Sequence, residues 1–130
     1  MVTLLLKKSY LHKDLKEVKF NDLWNGYGIF TTMRVIGRSA KILFYKTHID
    51  NLIKSLKKYN IHKKNLKNNI LKLVKLNLKK NKNFDHLLRV AVNKKMVSIS
   101  LRKRPIPRFN FNLKLIDYKR VDATYKNLKY

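Results

Sequence analysis

The chain contains no cysteine, and its 130 residues include only seven acids, three glycines, two prolines and one tryptophan. The missing cysteine excludes disulfide scaffolds, thiolate zinc sites and cysteine nucleophiles. Glu17 is the single glutamate and the six aspartates are scattered, so acid–base chemistry would need a lysine or tyrosine in place of paired carboxylates. Gly26-Tyr27-Gly28 lacks the third glycine of a dinucleotide fingerprint, no GK[ST] follows it, and no GxSxG occurs. His12, His48, His62 and His86 have no ligand spacing, so no metal site is expected. No apolar run approaches the roughly 18–20 residues of a membrane helix. The opening Met1-Val-Thr-Leu-Leu-Leu6 is too short for a signal-peptide core and is followed by lysines. A soluble, cytoplasmic protein with no membrane partner is expected.

Basic side chains, by contrast, are abundant: 32 against seven acids, for a formal charge of +25. Such a chain attracts polyanions at low salt. Only seven of the bases are arginine, the residue suited to phosphate and base edges; the other 25 are lysines spread along the chain among asparagines. Both residues have A-rich codons, so genome composition accounts for much of the excess. Non-specific polyanion binding, and a small RNA-binding module as an alternative function, follow from the charge alone. The local candidate is Arg102-Lys-Arg-Pro-Ile-Pro-Arg-Phe109 with Phe111, basic residues beside stackable rings. The plainer reading is a solvated loop entering a strand whose Phe111 lies in the core.

Hydrophobic periodicity divides the remainder. Short strands are expected at 2–6 and 17–20, with a loop or irregular hairpin at 7–16. After the turn Asn25-Gly26-Tyr27-Gly28, the β-branched and aromatic residues 29–36 read as a strand, paired through a two-residue turn at Gly37-Arg38 with 40–45. Thr47 is the expected cap of a helix with Ile49, Leu52, Ile53 and Leu56 on one face, and a second helix spans about 64–79. Strands follow at 86–92, 96–101 and 110–118. The order β-β-β-β-α-α-β-β-β predicts an α+β domain with a mainly antiparallel sheet and a central pair of helices.

One stretch carries more than pattern. Asn25-Gly-Tyr-Gly-Ile-Phe-Thr-Thr-Met-Arg-Val-Ile-Gly37, then an apolar strand, then His48-Ile-Asp-Asn-Leu52 with Ser55, resembles the N-terminal domain of the class IV aminotransferases, the fold-type IV pyridoxal-phosphate enzymes, whose pattern is roughly GDGxFxTxRxxxG then HxxRLxxS. The family includes branched-chain and D-amino-acid aminotransferases and 4-amino-4-deoxychorismate lyase. Phe30-Thr31-Thr32 followed by Arg34-Val35 is most similar to the lyase, since aminotransferases more often carry Glu at the place of Thr31. Arg120-Val-Asp-Ala-Thr-Tyr-Lys126 resembles the family's RxxPxxK, with Ala123 where proline is usual.

The resemblance implies pyridoxal 5'-phosphate as cofactor, Lys126 as the Schiff-base lysine and catalytic base, and a small-molecule amino substrate. Arg89 falls on the strand where family members often carry an active-site arginine or lysine, and Tyr27 of the turn joins it as a substrate-binding candidate. Asn51 stands where the family has its phosphate-anchoring arginine. Losing that charged fork costs roughly 1.5–3 kcal/mol unless Lys54 or another lysine offsets it. The implied activity is release of pyruvate to give 4-aminobenzoate for folate synthesis, with aminotransfer as the alternative. Residues 1–119 are expected to be the small domain, and 120–130 an interdomain segment opening a C-terminal domain not contained here. The complete enzyme is expected to be a homodimer, and an inactive truncated chain is a further alternative.

Overall fold

The computed structural model describes residues 3–78, 82–119, 122 and 124–128. In chain order the elements are β1 (Leu4–Leu11), β2 (Glu17–Val18), β3 (Gly28–Gly37), β4 (Lys41–Ile42), α1 (Tyr45–Lys58), α2 (Leu66–Asn77), β5 (Phe84–Asn93) and β6 (Met96–Lys103). The strands form one sheet, β2-β1-β6-β5-β3-β4, with every neighbouring pair antiparallel. The expected α+β class is what forms.

Alternation decides which face each strand buries. Ile29, Met33 and Val35 of β3, Leu88, Val90 and Val92 of β5, and Val97, Ile99 and Leu101 of β6 share one cluster with Ile49, Leu52 and Leu56 of α1 and Ile70, Leu73 and Val74 of α2. Both helices therefore cover one face. On the other face Ala91 packs with Leu23 and Leu128, beside Phe30 and Met96. There Ser9 of β1 and Ser98 of β6, both buried, share a hydrogen bond of 2.7 Å between their hydroxyls. No helix among the described residues is long and apolar enough to cross a membrane.

Several sequence expectations shift. The first strand runs to Leu11, beyond the expected loop boundary at residue 7; its Val2 lies outside the described residues. Tyr10 is buried against the helix face while Ser9 bonds across the other, so both faces hold this polar-looking stretch in the sheet. Only Lys41 and Ile42 of the expected strand 40–45 pair with β3, after a turn of three residues, and helix α1 begins at Tyr45. Its cap is Phe44, in the left-handed region at φ 54 with no side-chain cap bond, whereas Thr47 is exposed inside the helix. Helix α2 closes at Asn77, and Lys79 of the expected span lies outside the described residues.

The largest difference is at 110–118, which forms no strand, and Phe111 is 72% exposed where a core position was expected. The two-residue outer strands pair only with Ser9 and Tyr10 of β1 and with Val35 and Ile36 of β3, so open edge remains beside both strands, and 110–118 pairs with neither.

Ile70 is fully buried on α2 and Leu76, on the same helix, is 55% exposed. Ile70→Ala is expected to cost about 2–5 kcal/mol in urea unfolding, and Leu76→Ala within about 0.5 kcal/mol of zero. Equal losses would overturn the assignment of the inward face.

Candidate functional site

The opening residues of β3 divide two clefts. On the helix face a cleft of about 520 Å³ is lined by Ile29, Thr31, His48, Asn51, Leu52, Lys54, Ser55, Lys58 and Lys126, with Phe30 at its border. Asn51, Lys54, Ser55 and Lys58 stand at i, i+3, i+4 and i+7, so they form a polar stripe on α1 beside the apolar stripe of Ile49, Leu52 and Leu56. In the sequence the apolar stripe predicts the helix, and Lys54 is the substitute it offers for the absent arginine. Lys58 and Ser55 were legible by the same spacing.

Lys126 reaches this cleft because the chain around it docks on the free side of β3. The Phe30 N–H donates to the Lys126 carbonyl (2.9 Å), the Leu128 N–H to the Gly28 carbonyl (3.0 Å), and the Asn25 N–H to the Leu128 carbonyl (2.7 Å). Leu128 is completely buried. Gly28 permits that approach: a Cβ there would lie 2.2 Å from the Val92 carbonyl oxygen and 2.7 Å from Leu128 Cδ1. Of the second motif, Arg120, Val121 and Ala123 lie outside the described residues, as do 129 and 130 of the expected interdomain segment.

Thr31 Oγ1 and His48 Nδ1 share a hydrogen bond of 3.0 Å within the cleft. Burial first, and the Lys126 charge second, hold the His48 imidazole below its ordinary pKa. The sequence marks His48 only as a histidine without metal-ligand spacing and as a motif residue. Spacing could not have paired it with Thr31, because the contact depends on how α1 crosses β3.

Arg89 occupies the other face, opposite Thr32 in the β3–β5 register. It lines a second cleft of about 430 Å³ with Asp22, Trp24, Phe30, Thr32, Ser100 and Arg102 among its walls. Its guanidinium carbon lies 4.2 Å from the Trp24 ring centroid and 5.1 Å from that of Phe30. Nη1 donates to the Asp22 carbonyl at 2.8 Å. Nε and Nη2 are buried and have no hydrogen-bond partner. Burial lowers the Arg89 pKa from its ordinary value, opposed by Asp22. An N–H pair in that state is the edge by which arginine grips a carboxylate with two parallel bonds.

Phe30 borders both clefts. Tyr27 lines neither: it is half exposed, with its ring 5.1 Å from that of Tyr59, which in turn meets Tyr125 at 5.8 Å. These three rings tie the 25–28 turn, the end of α1 and the segment carrying Lys126 together.

A family model described as amino-transferase class IV matches residues 28–130, from the first glycine of β3 through Lys126. No curated protein matches the sequence.

Two outcomes follow from this geometry. Gly28→Ala is expected to destabilise the fold by about 1–3 kcal/mol and to speed amide exchange at Leu128. Adding Leu128→Ala will not restore stability, because the Val92 carbonyl is the nearer obstacle; a full rescue would overturn the assignment. His48 should titrate below 6.5 in a proton NMR series and move upward, without reaching 6.5, in Lys126→Met, since burial is the larger cause. Because its folded pKa is depressed, the associated stability is present above about pH 6.5 and is lost as pH falls through the His48 midpoint. A midpoint unmoved by Lys126→Met would remove that lysine from the cleft.

Proposed function

The chain belongs to the class IV aminotransferase family, and we propose that it is the N-terminal part of a pyridoxal-phosphate enzyme of the 4-amino-4-deoxychorismate lyase type. The observation that supports this best is the single cleft shared by Lys126 and the Asn51, Lys54, Ser55 and Lys58 stripe. Its volume, about 520 Å³, is in the range of small-molecule sites, roughly 300–1,000 Å³.

The residues present fit the cofactor. No carboxylate lines this cleft among the described residues, so a phosphate dianion meets only cations, hydroxyls and an amide. Asn51, Ser55, Lys54 and Lys58 would hold the phosphate, the two lysines offsetting the arginine that Asn51 replaces. When bound, pyridoxal phosphate supplies an electron sink for the charge left at the substrate Cα. Lys126 takes that proton on Nζ and returns it. His48, kept neutral and oriented by Thr31, adds no competing positive charge beside the amine. Arg89, in the neighbouring cleft that Phe30 also borders, is the candidate for the substrate carboxylate, with the Trp24 and Phe30 rings flanking its guanidinium.

Thr31 favours lyase over aminotransferase chemistry in this reading: a glutamate at that place would set a carboxylate beside His48. The acid facing the pyridine nitrogen and the rest of the phosphate cup are assigned to a C-terminal domain, and the working enzyme to a cytoplasmic homodimer.

Borohydride reduction after incubation with pyridoxal phosphate, followed by peptide mapping, tests the site. The pyridoxyl adduct should concentrate on Lys126 and vanish from that peptide in Lys126→Met. Labelling spread evenly over the lysines would overturn the reading. Because Trp24 is the sole tryptophan and stacks on Arg89, 4-aminobenzoate should change its fluorescence saturably, and at least tenfold more weakly in Arg89→Met. Pyruvate release from 4-amino-4-deoxychorismate, against amino transfer to a keto acid, separates the two activities.

A further inference from the structure

A third cleft, of about 510 Å³, lies where the end of α1 meets the start of α2, and it shares no lining residue with the Lys126 cleft. Its floor is Leu56, Ile61 and Leu66, all buried, with Ile53 partly covered. Its rim carries Lys57, His62, Lys63, Lys64 and Lys67, with Asn65 and Asn68. No acidic residue lines it. We propose that this cleft binds a polyphosphate group, a short chain of linked phosphates carrying three or four negative charges.

Charge compensation in this chain is uneven. Acids are scarce in this chain, and two of them are shared: Asp50 pairs with Lys46 and also with Lys67, and Asp85 with Arg34 and Arg104, while Glu17 pairs with Lys8. Among the described residues no ion pair engages Lys57, Lys63 or Lys64. Three lysines without an ion-pair partner thus line one concavity that no carboxylate enters. A single phosphate dianion leaves that field partly unmatched, whereas a linked chain of phosphates neutralises all three and also reaches the amides of Asn65 and Asn68.

The rim is also held in place. Ile61 and Leu66 anchor the connection at both ends as buried residues. Asn60 and Asn65 take left-handed backbone angles, φ 56 and 58, and the Ile61 and Asn60 amides donate to the Leu56 and Lys57 carbonyls at 2.9 and 3.1 Å. Lys63 and Lys64 are therefore presented from a fixed turn, which lowers the ordering cost of binding.

The test must separate a site from the general charge of the chain. Tripolyphosphate binding is measured by calorimetry at about 0.15 M salt, where charges beyond roughly 8 Å are screened. The triple variant Lys57→Gln, Lys63→Gln, Lys64→Gln is compared with Lys13→Gln, Lys41→Gln, Lys72→Gln, which removes the same charge from exposed lysines outside the cleft. One tripolyphosphate per chain is expected, at least tenfold weaker in the first triple and within twofold of the parent in the second. A nucleoside triphosphate competing at equal affinity identifies the phosphate chain as the bound part, and tighter competition identifies a nucleotide as its source; both support the site. Equal weakening in the two triples, or uptake without a defined stoichiometry, would overturn it. So would a single-stranded RNA whose affinity falls equally in both triples while tripolyphosphate does not bind.

Discussion

The contact at Gly28 is the constraint on which the Lys126 cleft depends. Strand β3 begins there with β5 on one side and residues 126–128 on the other, and the two approach so closely that no side chain fits. The three backbone hydrogen bonds that follow fix the path of the main chain at Lys126, and the buried Leu128 side chain fills the space against Leu23 and Ala91. Apolar burial of one leucine, worth about 1.5–3 kcal/mol, therefore anchors a residue far away in sequence from the helix it faces.

Charge sets the second constraint. With seven acids for 32 bases, Asp50 and Asp85 each serve two cations. Asp50 accepts from Lys46 and Lys67, which holds its pKa at about 2, and Asp85 is lowered chiefly by Arg104, with Arg34 adding to it. These pairs are solvent-exposed and contribute little to stability. Their larger effect is spatial: they neutralise the outer side of α1 and the far end of β3, and of the lysines lining the clefts they engage only Lys67.

What could be read in the sequence follows from the range of each interaction. The strand 29–36 and the first helix's inward residues were legible because alternation and the 3.6 period are local, and the resemblance carried Lys126 and Asn51 toward a common site. Thr47 failed as a cap because the tight connection from β4 forces Phe44 into a left-handed turn first. The 110–118 pattern is a strand pattern, with Phe111, Leu113 and Leu115 alternating, yet these side chains are 72–99% exposed; periodicity states what a segment could bury and not whether it docks. The Arg89 stack on Trp24 and Phe30 and the Thr31–His48 bond were not legible, since each joins elements whose crossing no local pattern specifies.

Register ties the two clefts to one another. Along β3 the side chains alternate, so Thr31 faces His48 and Lys126 on the helix side while Phe30 and Thr32 face Arg89 on the other. The β5 pairing places Thr32 against Arg89 and Ile29 against Val92, and Gly28 must meet the Val92 carbonyl at the same time. A slip of one residue would exchange the two faces: Phe30 would turn into the helix core and Thr31 toward Arg89. It would also put a side chain where only glycine fits. The steric requirement at Gly28 thus fixes the docking of 126–128 and, through the alternation of β3, which cleft holds the amine with its histidine and which holds the arginine with its aromatic walls.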